Sequence, residues 1–256
     1  MTEEGTGLSV AIITLNEEAN IGPCLESVKW ANEVVVCDSD SRDRTLEVAA
    51  GYGARTFQED WLAFAAHKNL AVSRCSQPWI LVLDADERVP PPLREEIEAI
   101  LRSDAAGDGY SLGRKNFFLG AWIRHGGWYP DRSVRLFRRG RGRFRPRAVH
   151  EVVEVSGRIG ALQHPLEHYT YASVSDYLRR MERYAALAAG ELFATGHRCG
   201  VVDLTLRPAW TFLRMYLLRR GFLDGWRGLL LAGLYASYTF AKYAQLWERQ
   251  RGPAAG

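Results

Sequence analysis

The first hundred residues alternate four times between a short apolar run and a stretch with helical periodicity, and this alternation constrains the fold most strongly. Helical patterns follow the runs at about 17–29, 44–51, 61–74 and 90–102. Alternation of this kind predicts an α/β fold, in which a mostly parallel sheet is covered by helices. The four runs are LSVAII (8–13), EVVVC (33–37), ARTF (54–57) and WILVL (79–83).

The rest of the chain has a different texture. Short strand-like runs rich in Gly and Arg extend from Tyr110 to about Tyr171, and we expect the acceptor side of a site there. Apolar residues then recur at helical spacing from Val174 to about Gly196, and two more helices are predicted at about 201–219 and 224–247. The sequence thus predicts a catalytic α/β domain over 1–172 and a helical region over 173–256 that contacts a membrane surface or an acceptor.

Charge is divided unevenly along the chain. Residues 1–100 contain 8 Lys and Arg against 18 Asp and Glu, whereas residues 101–256 contain 25 against 12. This asymmetry predicts a polar catalytic first half and a second half that meets an anionic partner.

Cysteine spacing and hydropathy suggest where the protein acts. The cysteines at 24, 37, 75 and 199 form no CxxC pair, so we expect free thiols in a reducing compartment. The N-terminus lacks the basic and long apolar segments of a secretory signal. The longest uncharged stretch, 228–241, is shorter than the roughly 20 residues of a spanning helix. We therefore expect a cytoplasmic protein with no membrane crossing.

Asp84-Ala85-Asp86 follows the fourth apolar run and is the sharpest chemical signal. Where a strand passes into a turn, two alternate carboxylates can converge on one hard cation such as Mg²⁺ or Mn²⁺. A cation there would bridge the phosphates of a nucleotide diphosphate and stabilise the leaving group. Acidic residues at strand ends are also common in ordinary solvated turns, so this motif alone does not distinguish a cation site from a turn.

Other polar residues predicted at the same sheet edge favour the chemical interpretation. Ligands of open α/β sheets sit at the carboxyl ends of the strands. Asp38 follows the second apolar run, and Lys68 projects from the helix before the fourth. Neither GxGxxG nor GxxxxGK[ST] occurs, which argues against dinucleotide-binding and P-loop proteins. The candidate residues at this edge are Thr14, Asn16, Glu17, Asp38, Lys68, Asp84 and Ala85 for binding a nucleotide, and Asp84 with Asp86 for the cation.

The chain resembles the family 2 glycosyltransferases of GT-A fold, and within them the lipopolysaccharide-core enzymes. The resemblance runs from about residue 8 to 248. The segments that carry it are SVAIITLNEEANIGPCLESVKWANEVVVCDSDSRDRT, WLAFAAHKN, WILVLDADERV, PDRSVRLFRR, VHE and GFLDGWRGL. Two departures, DSDSRD in place of a Gly-containing turn and His67 in place of Gln, bear on the identity of the donor.

The resemblance implies inversion at the anomeric carbon, a UDP-sugar donor, taken as UDP-glucose, and a Mg or Mn ion. It implies a lipopolysaccharide-core or related glycolipid acceptor. By the same resemblance Asp38 contacts the base, Asp84 lies on the ribose side and Asp86 binds the metal.

The C-terminal region combines Leu, Trp, Tyr and Phe with Arg214, Arg219, Arg220 and Arg227, which is typical either of helices that lie in a membrane interface or of a helical subdomain packed on the protein's own core. With a glycolipid acceptor we expect peripheral contact with the inner face of the cytoplasmic membrane.

An inverting transfer needs a carboxylate that accepts the proton of the acceptor hydroxyl. Glu151 is the first candidate, because it follows a strand-like run at the place where relatives carry an acidic base, and Asp131 is the second. His150 is a candidate for binding the metal or a phosphate oxygen, although a single His beside a strand is more often structural. His164 and His168 lie four residues apart, but Pro165 between them argues against a regular helix and so against a helical pair of metal ligands. Both histidines are taken as structural.

Residues 138–147 contain six arginines in ten positions. Guanidinium groups match phosphate oxygens in bidentate fashion, so Arg135, Arg138 and Arg139 are candidate acceptor-binding residues. A solvated basic loop and a noncatalytic RNA-binding loop are the alternatives, but with Phe144 as its one aromatic we expect no nucleic-acid partner. A nucleotidyltransferase would also use paired carboxylates, but TLNEEANIG lacks its Gly-rich basic loop.

Overall fold

A computed structural model describes residues 6–103, 107–145 and 152–251 of the protein. The chain divides into two compact units. The first contains Met1–Arg114 and Arg132–His168, and the second contains Lys115–Asp131 and Tyr169–Gly256. The second unit thus takes a short segment from the middle of the sequence. The predicted domain boundary at 172/173 stays a prediction.

Strands and helices alternate in the first part of the chain at the predicted places. The strands are β1 Leu8–Thr14, β2 Glu33–Asp38, β3 Arg55–Gln58, β4 Trp79–Asp84, β5 Glu87–Arg88, β6 Gly109–Phe118, β7 Ala121–Trp122, β8 Asp131–Arg138, β9 Gly142–Arg145, β10 Val152–Val155, β11 Ile159–Ala161 and β12 Leu166–Tyr171. The first helices are α1 Glu18–Val28, α2 Thr45–Gly51, α3 Phe64–Ser73 and α4 Pro91–Leu101.

The sheet of the first unit is parallel where the sequence alternates and mixed where it does not. Its strand order is β3-β2-β1-β4-β8-β6-β12-β5. The first four strands in this order run parallel, while β8 pairs antiparallel with β4 and β12 pairs antiparallel with β5. The α/β class with a mostly parallel sheet and flanking helices is confirmed.

The apolar strands bury both of their faces. Alternate residues of a strand point to opposite sides of a sheet, and those of β1 enter two different cores. Val10 and Ile12 pack with α1 and α4, where Ile21 and Leu93 are fully buried, while Ala11 packs on the α3 side. Burial on both faces explains why these strands are continuous apolar runs rather than alternating ones.

The second unit is mainly helical. It contains α5 Val174–Ala194, α6 Val201–Leu213, a π-helical segment Arg214–Leu218, a 3₁₀ turn Gly221–Asp224 and α7 Gly225–Arg251. Ser173 caps α5, since its Oγ accepts a hydrogen bond from the backbone N of Asp176 at 3.0 Å. The core of this unit collects Phe118, Ile123, Trp128, Tyr177, Met215 and Leu231.

Two further expectations concern thiols and membrane spans. All four cysteines are free thiols, as predicted, and Cys24, Cys37 and Cys75 are buried. No helix in the described part of the chain is at once long enough and apolar enough to cross a bilayer.

Candidate active site

The predicted polar residues of the sheet edge do come together, because the strands that carry them are in register. Thr14, the last residue of β1, pairs with Asp38, the last residue of β2. Strand β4 lies on the other side of β1, and there Ile13 of β1 pairs with Asp84, the last residue of β4. Three neighbouring strands therefore end at one level and place Thr14, Asp38 and Asp84 along one edge, where open α/β sheets bind ligands.

Asp38 is fully buried and held by the loop that follows it. Its Oδ2 accepts a hydrogen bond from Ser41 N at 2.7 Å, and its Oδ1 accepts one from Ser41 Oγ at 2.5 Å. Asn16 joins this loop to the one after β1, since its N donates to Ser41 Oγ and its Oδ1 accepts from Arg42 N at 2.8 Å. Glu17 contributes its backbone N, which donates to Thr45 Oγ1. The two loops are thus braced into one rim.

Asp84 is ion-paired with two cations. Its Oδ1 lies 2.9 Å from Lys68 Nζ, and its Oδ2 lies 3.3 Å from a terminal nitrogen of Arg135. Burial alone would raise the pKa of Asp84, but the Lys68 ammonium and the Arg135 guanidinium hold this pKa well below its usual range. Asp84 is therefore ionised and already balanced by protein charges, which leaves it a poor ligand for a metal ion.

Glu87 completes this group of charges and has no solvent exposure. It accepts hydrogen bonds from the backbone N of Asp84 at 2.8 Å and from Arg135 at 2.9 Å, and Arg114 lies 3.3 Å away. We call Lys68, Asp84, Glu87, Arg114 and Arg135 the buried ion cluster. The sequence-based predictions did not include Glu87 or Arg114.

Asp86 faces a histidine of another strand. His168 Nε2, on β12, is 3.4 Å from Asp86 Oδ1. Burial would lower the pKa of His168, but the carboxylate of Asp86 outweighs it and raises this pKa. His168 was expected to be structural, and its place beside Asp86 was not predicted.

The fit of a divalent cation can be judged from these groups. Within the described ranges no cluster of three or more His, Cys, Asp or Glu is arranged to hold a metal ion unaided. Mg²⁺ in nucleotide-dependent sites, however, is commonly bound by one or two carboxylates together with substrate phosphates. Asp86, oriented by His168, fits such a site, because ligating carboxylates are usually held by a further hydrogen bond. Asp84 does not.

Thr14 and His67 line the same region with different chemistry. Thr14 Oγ1 is buried and has no hydrogen-bond partner among the described residues. A buried hydroxyl left unpaired costs about 1–3 kcal/mol, so a ligand that supplied a partner would gain from it. The buried His67 has its Nε2 2.9 Å from Ser39 Oγ, and burial lowers its pKa, which favours the neutral imidazole.

Several predicted residues do not join this group. Ala85 is buried in the first core, so its side chain is a packing group. Arg138 pairs with Trp79 at the start of β4 and lies over its ring, and the backbone N of Arg139 donates to Pro78 O. Five residues of strand, about 16 Å, separate that end of β4 from Asp84. Arg138 and Arg139 thus lie away from the other predicted residues, and their contact with an acceptor stays a prediction.

The remaining predicted residues fall in three different places. Arg135, predicted to bind the acceptor, is instead buried within the ion cluster, because Asp84 and Glu87 pair with its guanidinium. Asp131 begins β8 and belongs to the second unit. His150 and Glu151 lie outside the described residues. The choice between Glu151 and Asp131 as the base stays a prediction.

Comparison with known proteins identifies the class. Residues 9–159 match the model of the family Glycosyl transferase family 2. This match covers more than half of the chain, so the protein belongs to that family and is a glycosyltransferase. Together with the sheet topology, this confirms the GT-A fold and decides against the nucleotidyltransferase and the noncatalytic RNA-binding alternatives.

Individual relatives extend over nearly the whole chain. It is 32% identical over 249 residues to the lipopolysaccharide core biosynthesis glycosyltransferase LpsC of Rhizobium meliloti (strain 1021), covering 94% of this chain and 92% of LpsC. It is 27% identical over 253 residues to the uncharacterized glycosyltransferase RT0209 of Rickettsia typhi, covering 94% and 87%. The solved structure of S. aureus TarS 1-349 gives a TM-score of 0.49 at 15% identity, covering 96% and 91%.

Proposed function

We propose that the protein is an inverting hexosyltransferase that moves glucose from a UDP-sugar to a lipopolysaccharide-core or related membrane-associated glycan. The observation that carries this proposal is the in-register ending of β1, β2 and β4, which gathers Thr14, Asp38 and Asp84 at one edge. The similarity to LpsC supports the acceptor class. The enzyme would act at the inner face of the cytoplasmic membrane.

Each residue of the edge has a distinct task in the proposed reaction. Asp38 accepts hydrogen bonds from the uracil or ribose, and Thr14 Oγ1 gains a partner from the donor. Lys68 and Arg135 keep Asp84 ionised on the ribose side. Asp86 would hold a Mg or Mn ion, which would supply stabilisation of the charge on the leaving UDP.

The transfer is a single displacement. The acceptor oxygen forms a bond to the anomeric carbon while the bond from that carbon to the β-phosphate oxygen breaks. Glu151, or else Asp131, accepts the proton of the acceptor hydroxyl. Comparing Glu151→Gln with Asp131→Asn decides between them, because the variant that removes the base loses turnover and the other keeps it.

Asp86→Asn tests the proposal directly. We expect kcat for UDP release from the UDP-sugar to fall about a thousandfold, because an amide binds a divalent cation weakly and leaves less charge stabilisation on the departing UDP. Asp60→Asn is the matched control, since Asp60 is an exposed carboxylate of the same unit, and it should leave kcat unchanged. Near-normal turnover in Asp86→Asn would overturn the proposed mechanism.

Donor choice can be measured without knowledge of the acceptor. Thermal unfolding of the wild-type protein with Mn²⁺ and UDP-, GDP- or CMP-sugars should show the largest rise in Tm with UDP-glucose, since a ligand stabilises the state that binds it. A larger shift with a GDP- or CMP-sugar would contradict the proposed donor.

A further inference from the structure

Helix α6 and the π-helical segment that continues it carry a stripe of apolar residues on their exposed side. Val202, Leu206, Trp210, Leu213 and Leu217 follow one another at spacings of four, four, three and four residues, which places them on one face of a helix. Their side chains are 58%, 62%, 56%, 44% and 50% exposed, respectively. The stripe is thus an apolar helix face turned toward solvent.

The other side of α6 already has its packing partner. Thr211 Oγ1 lies 3.2 Å from Thr239 Oγ1 of α7, and the Arg207 guanidinium lies 5.2 Å from the ring centre of Tyr243 on the same helix. Asp203 is buried on this side too. The apolar stripe is therefore not the face that holds α6 on its own unit, which is the reverse of an ordinary surface helix.

The exposed apolar surface continues along the chain after the stripe. Leu218, Phe222, Leu223 and Trp226 are 64%, 45%, 56% and 59% exposed. We call these four residues together with the stripe the apolar face. A contiguous segment with so many exposed large apolar side chains marks an interaction site, because single scattered ones need no explanation but a run does.

The surface charge of residues 201–227, the segment that carries the apolar face, is positive. Asp203 accepts from Gly200 N at 2.8 Å and pairs with Arg207. Asp224 accepts from His125 N at 2.9 Å and Arg124 N at 3.2 Å. Both carboxylates of residues 201–227 are thus engaged inside the unit, and the charge left at the surface is positive.

Three arginines beside the apolar face are exposed. Within the described ranges no carboxylate lies within 4.0 Å of the guanidinium of Arg214, Arg219 or Arg220. A cavity of about 240 Å³ in the second unit is lined by Arg214 and Arg219, by Trp210 of the stripe and by Gly126 and Gly127. Two guanidinium groups at a cavity bordering an apolar surface match a phosphate group, whose oxygens they bind in bidentate fashion.

We propose that the apolar face seats the enzyme on an anionic lipid bilayer, with Arg214 and Arg219 binding a lipid phosphate. Helices that lie in a membrane interface combine an apolar side with basic residues, and anionic lipids attract those residues. The charge pattern selects the bilayer over a second copy of the chain, since two such faces would bring like charges together. Membrane binding by this surface deepens the proposed function. It rests on that function in one respect, namely that the acceptor is associated with a membrane.

Vesicle binding of the full chain tests the proposal. Wild-type protein should cosediment with vesicles of phosphatidylcholine mixed with phosphatidylglycerol at least about tenfold more strongly than with phosphatidylcholine alone, and added salt should weaken the difference. Equal binding to both kinds of vesicle would overturn the role of the arginines, and no binding to either kind would overturn the bilayer proposal.

Two sets of variants separate the apolar and the charged parts. Leu206→Ser/Leu213→Ser/Leu217→Ser should lower binding to the anionic vesicles more than about tenfold, because the apolar area that enters the interface is lost. Leu178→Ser/Leu187→Ser is its matched control on α5, where the two leucines are 43% and 50% exposed. It should bind like wild type.

A second set of variants tests the arginines separately from the apolar residues. Arg214→Gln/Arg219→Gln should lower binding to the anionic vesicles roughly 25-fold, at about fivefold for each arginine near the surface, and leave binding to phosphatidylcholine unchanged. Arg179→Gln/Arg183→Gln removes two charges from α5 and should have a much smaller effect. An equal loss in both pairs would overturn the specific role of the cavity.

Two more measurements separate this proposal from its competitors. If light scattering showed a wild-type dimer that the leucine variant turned into a monomer, with no vesicle binding by either, the apolar face would join two copies and the bilayer proposal would be wrong. Asp86→Asn should bind vesicles like wild type while transfer is lost. Membrane binding without any sugar transfer by the wild type would sink the proposed function and leave this surface intact.

Discussion

The two units use arginine in opposite ways. In the first unit Arg135 is buried, and its guanidinium lies 3.3 Å from Asp84 and 2.9 Å from Glu87. In the second unit Arg214 and Arg219 are exposed and line a cavity, and no carboxylate of the described residues lies beside them. The excess of basic residues in the second part of the sequence therefore includes arginines with two different roles. What decides the role of each arginine is whether the protein supplies the anion.

This difference has energetic consequences. A buried charge that loses its partner is left without solvent or counter-charge and destabilises the fold strongly. An exposed charge interacts with water and salt, so its removal changes stability little and changes only what binds from outside. The comparison therefore predicts large stability effects in the buried ion cluster and small ones on the apolar face.

The largest effect on stability should come from Glu87→Gln. Glu87 is fully buried and pairs with Arg135 at 2.9 Å and with Arg114 at 3.3 Å, so the neutral amide removes an anion from two cations. We expect the free energy of unfolding to fall by about 3 kcal/mol. Urea denaturation measures it.

The control for Glu87→Gln is Glu98→Gln. Glu98 pairs with Arg94 on the surface of α4 at 2.7 Å, and loss of this pair should cost less than about 0.5 kcal/mol. If the two substitutions cost the same, the ion cluster is not a buried network and the contrast between the units fails.

A smaller effect should appear in the pH dependence of stability. Lys68 and Arg135 hold the pKa of Asp84 below its unfolded value of about 3.9. A lowered folded-state pKa contributes stability that is present above pH 4 and is lost as pH falls toward the folded value. Asp84→Asn should therefore flatten the acid limb, by at most about 1.4 kcal/mol per pH unit.

Denaturation at a series of pH values from about 5 to 3 measures that limb. Asp60→Asn, an exposed carboxylate, should keep the wild-type slope. An Asp84→Asn protein with an unchanged slope would mean that the two cations do not bias this carboxyl in the folded state.

The sequence predicted those parts of the molecule that local periodicity determines. The runs at 8–13, 33–37 and 79–83 became β1, β2 and β4 with bounds within one residue, because strands buried on both faces must be apolar throughout. Ends of parallel strands lie at one edge, which is why Asp38 and Asp84 could be placed together without coordinates.

Long-range pairing was not predictable in this way. Arg135 reaches Asp84 because β8 inserts beside β4, and the apolar pattern of β8 does not reveal its neighbour. His168 reaches Asp86 because β12 pairs with β5, where His168 lies opposite Glu87. Pro165 between His164 and His168 argued against a helical metal pair, but the local sequence said nothing of a partner some 80 residues away. Arg138 and Arg139 were grouped with Arg135, although a strand of this length carries them to the other end of β4.

The smallest stability effect should come from the apolar face. Leu206→Ser/Leu213→Ser/Leu217→Ser should change the free energy of unfolding by about 0.5 kcal/mol or less, because these side chains are already in water. Leu231→Ser, at a buried position of α7, should cost about 3 kcal/mol or more in the same urea titration. Were the triple variant to lose as much as Leu231→Ser, its leucines would be packing residues of the fold, and the second unit would not present an outward apolar surface to any partner.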